Sequence, residues 1–353
     1  MSRKRLSRHA WHGLHPIDTL NTTAFFTRCT IFTAPTPPLQ KQNFRPYPLK
    51  APIAGMPLEK IYVTRHGFRS NWLIDPATGT YSALIPSPTG IPADPTLTSH
   101  GVKQARELGS HLLTLDPPIE AVYSSPYYRC LETLGPFMDL RLQKQDHDRR
   151  AGRPVSGNNV AAKIRPEHGI QEWFGSAPFN HPQPATTDVL KSLFPAVDEG
   201  YVSTVAPSRR GETLAQLQER VAVALRAIIA RCDADGTRAV VLCSHAAVVI
   251  VLGRILTGQQ PETIDAEDFR AFTCGLSVYR RERRAEGERG DDRGPPSAVS
   301  VETNASLIGG WHCELNSDCS FLTGGEERGW RFVGDESFPG PGSLSQVDAD
   351  SKL

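Results

Sequence analysis

The feature of this sequence that most constrains its fold is an alternation of short apolar runs with longer amphipathic segments between residues 58 and 281. Three of the apolar runs have the length and the side chains of buried strands: EKIYVT (59–64), IEAVYSS (119–125) and RAVVLCS (238–244). Helical patterns follow them along the chain. Strands that alternate with helices predict an α/β fold, here a three-layer α/β/α sandwich around a mostly parallel central sheet.

Finer expectations follow from the segments between these strands. LTSHGVKQARELGSHLLTL predicts a helix capped at Thr98, and YYRCLETLGPFMDL predicts a second helix that is interrupted or kinked near Pro136. Polar loops are expected at 72–96 and 144–162, with a long irregular excursion at 175–211. GLSVYRRE (275–282) predicts a strand at an edge of the sheet.

The first 55 residues have a different composition from the rest of the chain. They carry eight Lys or Arg against one acid, Asp18, and show no sustained hydrophobic period. We expect residues 1–55 to form a disordered basic N-terminal extension. For the protein we expect a location in the cytoplasm, the nucleus or both. A mitochondrial targeting segment is the less favoured alternative, because no amphipathic arginine face is evident.

The remaining chain divides by composition into four parts. Residues 56–281 form the predicted α/β domain, and 282–298 belong to a charged linker. An aromatic-rich segment at 299–338 predicts a β-hairpin appendage, and 339–353 predict a disordered tail. The appendage either packs on the α/β domain, extending the strand GLSVYRRE, or awaits a partner.

Composition excludes several function classes. The formal net charge of +1 gives no general attraction to nucleic acid, and no apolar run reaches the roughly 20 residues of a membrane helix. The seven cysteines are scattered without a CxxC pair, so neither a zinc site nor a disulfide framework is predicted. We expect no direct nucleic-acid partner, no membrane association and no cofactor or metal.

Charged residues follow the predicted strands at their carboxyl ends, where open α/β sheets bind ligands. Arg65, His66 and Arg69 follow the first strand, and Arg129 follows the second. The remaining candidates are Glu172, in HGIQEW, and His245, after VLCS at the start of a helix. Three arginines and two histidines in one crevice would form a phosphate-binding cradle.

This residue set also predicts a reaction. A neutral imidazole nitrogen can attack phosphorus and form a phosphohistidine, while the cations hold the phosphoryl oxygens. A carboxylic acid is then needed to protonate the leaving oxygen, and Glu172 fits this role. Glu167, earlier in the same segment, is the alternative acid.

The stretches YVTRHG, LTSHGVKQARELG, YSSPYYRCLET, HGIQEW, RGETLAQLQERV and VLCSHAAVV resemble the histidine phosphatase superfamily, which includes the phosphoglycerate mutases. The resemblance implies the phosphoglycerate mutase-like fold, a nucleophilic His66 and an acid at Glu172. It also implies that Arg65, Arg69, Arg129 and His245 hold the phosphate. The mutases typically carry Ser and Asn where this sequence has Arg69 and Trp72, so glycerate mutase activity is not expected.

A narrower resemblance is to fungal proteins that include the phosphatase-domain subunit of transcription factor IIIC (tau) and its stand-alone relative. RHGFRSNW, SPYYRCLET, IQEWF, GET and SHAAVVIVLG carry it. Three hypotheses result. The chain is a metal-independent hydrolase of a phosphorylated small molecule or phosphoprotein, a subunit that assembles with other factor IIIC subunits, or a binder of phosphorylated peptides.

Overall fold

The computed structural model describes residues 58–152, 163–263, 265–282 and 309–333. The strands are β1 (Lys60–Arg65), β2 (Trp72–Asp75), β3 (Thr80–Ala83), β4 (Ala121–Ser124), β5 (Ile164–Pro166), β6 (Ala239–Ser244), β7 (Leu276–Arg281) and β8 (Trp311–Asp318). The α-helices are α1 (Ser99–Leu112), α2 (Tyr128–Arg150), α3 (Thr187–Leu193), α4 (Leu214–Asp235) and α5 (Ala246–Thr257), and a short 3₁₀ helix covers His168–Ile170.

Six strands form the main sheet in the order β5-β4-β6-β1-β7-β8. The pairs β5–β4, β4–β6 and β6–β1 are parallel, whereas β7 runs antiparallel to both β1 and β8. Strands β2 and β3 form a separate antiparallel pair. The carboxyl ends of β1, β4 and β6 therefore lie side by side, and the residues that follow them meet at one edge of the sheet.

Alternate residues of the central strands belong to two hydrophobic cores, one on each face of the sheet. Ile61 and Val240 pack with α4 and α5, whereas Tyr62 and Val241 pack with α1 and α2. A strand that is buried on both faces must be apolar throughout, which explains the continuous runs in the sequence. The predicted three-layer α/β/α sandwich with a mostly parallel sheet is confirmed.

Several boundaries differ from the sequence expectations. Helix α2 continues through Pro136 as far as Arg150, so the loop predicted at 144–162 is helical in its first part. The loop at 72–96 contains the hairpin β2–β3, and the excursion at 175–211 contains α3. The predicted cap is confirmed, because the Thr98 side chain accepts a hydrogen bond from the Gly101 N–H.

The strand GLSVYRRE, which becomes β7, is not at the edge of the sheet, because β8 pairs with its outer side. The described residues that follow β7 therefore dock on the α/β domain by extending its sheet, which is one of the two arrangements expected for them. Residues 309–333 contain the strand β8, and we call residues 311–333 the C-terminal segment. The hairpin predicted over 299–338 falls partly outside the described residues and stays a prediction. Trp311 and Phe332 lie buried in the same core as α4 and α5, so the segment's aromatic rings complete that core.

The predicted extension (1–55), most of the linker (283–298) and the tail (339–353) lie outside the described residues. The domain boundaries proposed from the sequence therefore stay a prediction. Among the helices that the structure describes, none is long and apolar enough to cross a membrane.

Candidate active site

His66 lies directly after β1, in a loop that both helices of one layer hold in place. The Gly67 N–H donates to Oγ1 of Thr133 on α2, at 3.0 Å, and the Phe68 N–H donates to Oε1 of Gln104 on α1, at 2.9 Å. The loop backbone is therefore fixed by side chains that belong to rigid elements. Such support gives the His66 ring a defined position.

The His66 ring is buried, with 2% of its surface exposed, and its hydrogen bond defines its tautomer. Nδ1 lies 2.8 Å from the carbonyl oxygen of Gly67. Because a carbonyl only accepts, Nδ1 carries the hydrogen and Nε2 carries the lone pair. Burial, followed by the charges of Arg129 and His245, lowers the pKa of His66 well below its ordinary value. The ring is therefore neutral at pH 7.

Arg129 is fully buried in the first turn of α2. Its Nη2 donates to Oε2 of Glu172 at 2.8 Å, and its Nη1 donates to the Ala93 carbonyl at 3.2 Å and to Oδ1 of Asp94 at 3.4 Å. Burial alone would lower the pKa of Arg129, but the carboxylates of Glu172 and Asp94 raise it above its ordinary value. The guanidinium is thus a permanent, oriented cation.

His245 follows β6 and is the N-cap residue of α5. Its Nε2 lies 2.7 Å from Oγ of Ser125, and its Nδ1 lies 3.2 Å from Oε2 of Glu172. Burial alone would lower its pKa, but the neighbouring Cys130 and Glu172 raise it. The His245 and His66 rings are 5.3 Å apart between centroids, in an edge-to-face arrangement.

Glu172 completes the group, two residues after the 3₁₀ helix. Burial would raise its pKa, but His245, with which it also forms a hydrogen bond, and Arg129 hold that pKa well below the usual range. In the absence of substrate Glu172 is therefore ionised. It is the anion that compensates Arg129 and His245.

The alternative acid, Glu167, occupies a different environment. Its carboxylate accepts hydrogen bonds from the Gly169 N–H, the Tyr201 hydroxyl and the Ser203 hydroxyl, and it is fully buried. These donors fix the turn that leads to Glu172. The arrangement favours Glu172 over Glu167 as the acid, because Glu172 is the one that contacts Arg129 and His245.

A buried ion pair braces the same turn from below. Nε of Arg220 lies 2.9 Å from Oε1 of Glu212, and its Nη1 donates to the carbonyls of Gly169 and Gln171, both at 3.1 Å. Neither side chain of this pair is exposed by more than 1%. The pair therefore anchors the backbone immediately before Glu172.

Arg65 and Arg69 differ from Arg129 because neither forms an ion pair with a carboxylate in the described part of the chain. Arg65 donates from Nη1 to the carbonyls of Ala271, at 2.8 Å, and Arg328. Arg69 donates to the carbonyl of Ser70 at 2.9 Å. Burial lowers the pKa of Arg65 to about 10; the charge of Glu172 opposes this shift and that of Arg129 adds to it. Burial and then Arg129 lower the pKa of Arg69 to about 9, against the opposing charge of Glu172.

The balance of charge in the site favours an anion. One nitrogen each of His66 and His245 and one oxygen of Glu172 lie within 4.8 Å of one another, an arrangement that resembles a metal-ligand set. The charges of Arg129, Arg65 and Arg69, however, all lower the pKa of His66, which means that they make its position unfavourable for positive charge. The same potential attracts a phosphate dianion.

An aromatic wall extends outward from these charges, formed by Tyr127, Phe174, Trp72, Tyr81 and His181. The Tyr127 ring lies 5.5 Å from His245 and 6.3 Å from Phe174. Phe174 stacks on His181 at 4.8 Å, and Trp72 lies 5.2 Å from Tyr81. The hairpin β2–β3 and the 175–211 excursion thus contribute an apolar surface beside the cationic pocket.

The C-terminal segment also reaches the His66 loop. Oε2 of Glu327 accepts from Nε2 of Gln104 at 2.8 Å, and the Arg328 guanidinium lies 4.7 Å above the Phe68 ring. As described above, the Arg328 carbonyl accepts from Arg65. The segment that the sequence assigns to an appendage therefore helps to position a phosphate-binding candidate.

The structure brings together the six candidates from the sequence: Arg65, His66, Arg69, Arg129, Glu172 and His245. A model of the histidine phosphatase superfamily (branch 1) matches residues 61–150 and 161–287, which is more than half of the chain. The chain belongs to this superfamily. The predicted family and its phosphoglycerate mutase-like α/β fold are thereby confirmed.

Relatives within this superfamily include proteins of different kinds. The chain is 31% identical over 290 residues to the transcription factor tau 55 kDa subunit of Saccharomyces cerevisiae, covering 78% of this chain and 59% of that protein. It is 26% identical over 229 residues to the ecdysteroid-phosphate phosphatase of Drosophila melanogaster, covering 58% of this chain and 28% of that protein. The chain thus spans little more than half of the yeast relative and less of the fly one.

Among solved structures, the ecdysone phosphate phosphatase from Bombix mori, in complex with tungstate, matches with a TM-score of 0.45 at 22% identity. That match covers 70% of this chain and 96% of the other. A protein of Bacillus stearothermophilus matches with a TM-score of 0.39 at 16% identity, over 74% of this chain and 98% of the other.

The site of this histidine phosphatase superfamily member also contains residues that the sequence did not indicate. Ser125, Asp94 and Arg328 are three that contact its charged groups. Ser125 had a signal, since it ends the second strand, whereas Asp94 and Arg328 lie in loops without a recognisable motif.

Proposed function

We propose that this chain hydrolyses phosphomonoesters in two steps, through a phosphohistidine at His66. The observation that carries the proposal is the pairing of a neutral, buried His66 with Arg65 and Arg69, two half-buried guanidinium groups that form no ion pair with a carboxylate in the described residues. Burying such charges is costly unless an anion compensates them. A substrate phosphate is an anion of the right geometry for guanidinium groups.

In the first step, Nε2 of His66 attacks phosphorus in line with the leaving oxygen. The bond between phosphorus and the leaving oxygen breaks, and its electron pair goes to that oxygen, which takes a proton from Glu172. Arg65, Arg69, Arg129 and His245 hold the three remaining phosphoryl oxygens, where negative charge is distributed in the transition state. The products are an alcohol and phospho-His66.

In the second step, water attacks the phosphorus of phospho-His66. Ionised Glu172 takes a proton from this water as its oxygen bonds to phosphorus, and the bond between phosphorus and Nε2 breaks. His66 regains its lone pair, and inorganic phosphate leaves with the site restored. The same carboxyl group thus acts first as acid and then as base.

We expect substrate binding to favour the protonated form of Glu172. Without substrate, the pKa of Glu172 is held low, burial being outweighed by His245 and Arg129. A bound phosphate dianion would neutralise the same cations and add repulsion, both of which raise that pKa. Glu172 would then take up a proton as the substrate binds.

The test is the variant His66→Ala, assayed with para-nitrophenyl phosphate. We expect this variant to lose turnover. It should also lack the acid-labile phosphoenzyme that intact-mass measurement detects in the wild type. His111→Ala is the matched control, because His111 lies on α1 and stacks on Phe321 at 4.2 Å. Full activity of the His66 variant would refute the mechanism.

The aromatic wall supports a proposal about the leaving group. Phe174 and Trp72, which are partly exposed, offer ring surfaces beside the proposed phosphate cradle, and such surfaces favour flat or apolar groups. We therefore expect higher kcat/KM for aryl phosphates than for glycerol phosphate. The Phe174→Ala variant should reduce this preference, and an unchanged ratio would contradict it.

A second candidate function is assembly into RNA polymerase III transcription factor IIIC, in the nucleus. The 31% identity to the tau 55 kDa subunit supports it. Affinity purification of the full chain from its native cells distinguishes the two: recovery with factor IIIC subunits supports assembly, and recovery without them supports a stand-alone enzyme. If factor IIIC complexes that contain the His66→Ala variant still support transcription, the catalytic activity is not needed for the assembly role.

A further inference from the structure

Arg328 belongs to the C-terminal segment but lies beside the loop that carries His66. Its guanidinium carbon is 4.7 Å from the centre of the Phe68 ring, and Phe68 is two residues after His66. The Arg328 side chain remains exposed to solvent. A cation stacked on an aromatic face keeps a defined direction while its N–H groups stay available for another partner.

The backbone of Arg328 is held firmly in an unusual conformation. Its φ of 50° is in the left-handed region, which is unfavourable for a residue with a side chain. Its carbonyl accepts from Nη1 of Arg65, and the preceding carbonyl, of Glu327, accepts from the Thr273 N–H at 3.1 Å. These contacts, rather than the local sequence, place Arg328 at this position.

The charge of Arg328 has no ion-pair partner in the described residues, whereas the charges around it do. Arg331 lies 2.8 Å from Glu267, and Glu326 lies 3.3 Å from Arg270. Glu327 lies 2.6 Å from Nε2 of His100. The acids next to Arg328 in sequence are thus engaged elsewhere, and its guanidinium is left for an anion from outside.

The field of Arg328 also reaches the phosphate cradle. Burial and Arg129 are the main causes that lower the pKa of Arg65 and Arg69, and repulsion by Arg328 contributes to both. Arg328 therefore extends the positive potential of the cradle toward solvent. Such an extension suits a ligand with negative charge at two places.

We propose that Arg328 is a specificity-determining residue that binds a second anionic group, a carboxylate or a phosphate, on the leaving group of the substrate. The substrate class is then a phosphomonoester whose leaving group is itself anionic. The proposal rests on the proposed hydrolase function, since the first phosphate must lie against His66. It assigns a substrate-binding role to the C-terminal segment.

The experiment compares 3-carboxyphenyl phosphate with its carboxamide, which have the same shape but differ in charge. In the variant Arg328→Gln, kcat/KM for the carboxylate substrate should fall about tenfold, while that for the carboxamide should stay within about twofold. 1,3-Phenylene bisphosphate is a third substrate. Its loss of kcat/KM in Arg328→Gln, compared with that of the carboxylate substrate, shows which second anionic group Arg328 binds better. Equal losses on the charged and neutral substrates, or no loss, would overturn the proposal.

Arg331→Gln is the matched control, because Arg331 is an exposed arginine of the same segment with its own partner, Glu267. It should leave both substrates unchanged. Calorimetric binding of 3-carboxybenzylphosphonate and its carboxamide provides a readout that needs no turnover. If the wild type hydrolyses none of these substrates, the proposed hydrolase function fails. The anion site is still supported if Arg328→Gln weakens binding of the carboxylated phosphonate but not of its carboxamide. It is overturned if the variant binds both phosphonates as the wild type does or weakens both equally.

Discussion

Oε2 of Glu172 lies 2.8 Å from Nη2 of Arg129, so the residue expected to donate a proton is also the counter-ion of a fully buried guanidinium group. A bound phosphate would have to share Arg129 with Glu172. Occupancy of the phosphate cradle and protonation of Glu172 are therefore linked, and this linkage leads to the first prediction.

The variant Glu172→Gln should slow hydrolysis according to the leaving group. An alkyl phosphate, whose leaving oxygen needs a proton, should lose about 10²–10⁴-fold in kcat, whereas para-nitrophenyl phosphate should lose much less in the first step. The measurement is kcat for a series of substrates with different leaving-group pKa values. A loss that is the same for all of them would indicate a positional role.

Glu167→Gln is the control for that series. Its carboxylate is buried among Tyr201, Ser203 and Gly169, so its loss should lower stability. The dependence of kcat on the leaving group should stay as in the wild type. A dependence like that of Glu172→Gln would transfer the acid role to Glu167.

The variant Arg69→Gln should be more stable than the wild type when no phosphate is present. The wild-type guanidinium forms no ion pair with a carboxylate in the described residues and is partly buried, so its removal should stabilise by about 1 kcal/mol, or about 2–4 °C in Tm. Phosphate should raise Tm more in the wild type than in the variant. Differential scanning fluorimetry with and without phosphate measures both effects.

Arg226→Gln is the matched control for Arg69→Gln. Arg226 is an exposed residue of α4, so its replacement should change stability by no more than about 0.5 kcal/mol. A destabilised Arg69 variant would show that the guanidinium has a structural partner, contrary to our interpretation.

The stability of the wild type should carry a pH dependence that comes from His66. Burial, then Arg129, keeps its pKa in the folded state well below the ordinary value of 6.5. Below pH 6.5 the unfolded chain therefore binds a proton that the folded state does not, and stability falls with decreasing pH, by up to about 1.4 kcal/mol per pH unit. Above pH 6.5 this contribution is fully present.

The measurement is urea unfolding between pH 7.5 and 5 for the wild type and His66→Asn. The variant should lose less stability over this interval, so the difference between the two curves isolates His66 from other groups. Asp94 makes such a difference necessary, because burial raises its pKa to about 6 and its contribution has the opposite sign. Parallel curves would contradict a depressed pKa at His66.

Phe332→Ala should destabilise the catalytic domain by about 3–5 kcal/mol, although Phe332 lies more than 50 residues after the end of β7. Its ring is 1% exposed and packs 5.6 Å from Trp173, the neighbour of Glu172. Val333→Ala is the control, because Val333 is 59% exposed and should change stability little. Equal stability of both variants would show that the C-terminal segment is not part of the core.

The fold follows from local properties of the sequence. Strands such as β6 must be apolar throughout, because helices cover both faces of the parallel sheet. The helices between the strands show one apolar face each. The pattern of residues 58–281 therefore specifies the three layers. The candidate residues were found for a related reason. In such a sheet the side chains directly after β1, β4 and β6 must meet, wherever they lie in the chain.

Local pattern decided less about the chain after β7. The strand GLSVYRRE has the alternation of an edge strand, but β8 pairs with it after a separation of 29 residues. The sequence also indicated that α2 is interrupted or kinked near Pro136, because proline disfavours the interior of a helix by about 3 kcal/mol. Packing of Phe137 and Met138 in the core on that side of the sheet keeps the helix continuous.

Six charged residues of the candidate site could be identified from the sequence, because strand ends and residue types are local information. Only the tertiary structure decided their states: the neutral ring of His66, the ionised Glu172, and the presence of Arg328 beside Phe68. These states depend on burial and on charges that come from separate elements of the chain. Electrostatic energy varies with distance and solvent exposure, and neither quantity is written in the order of the residues.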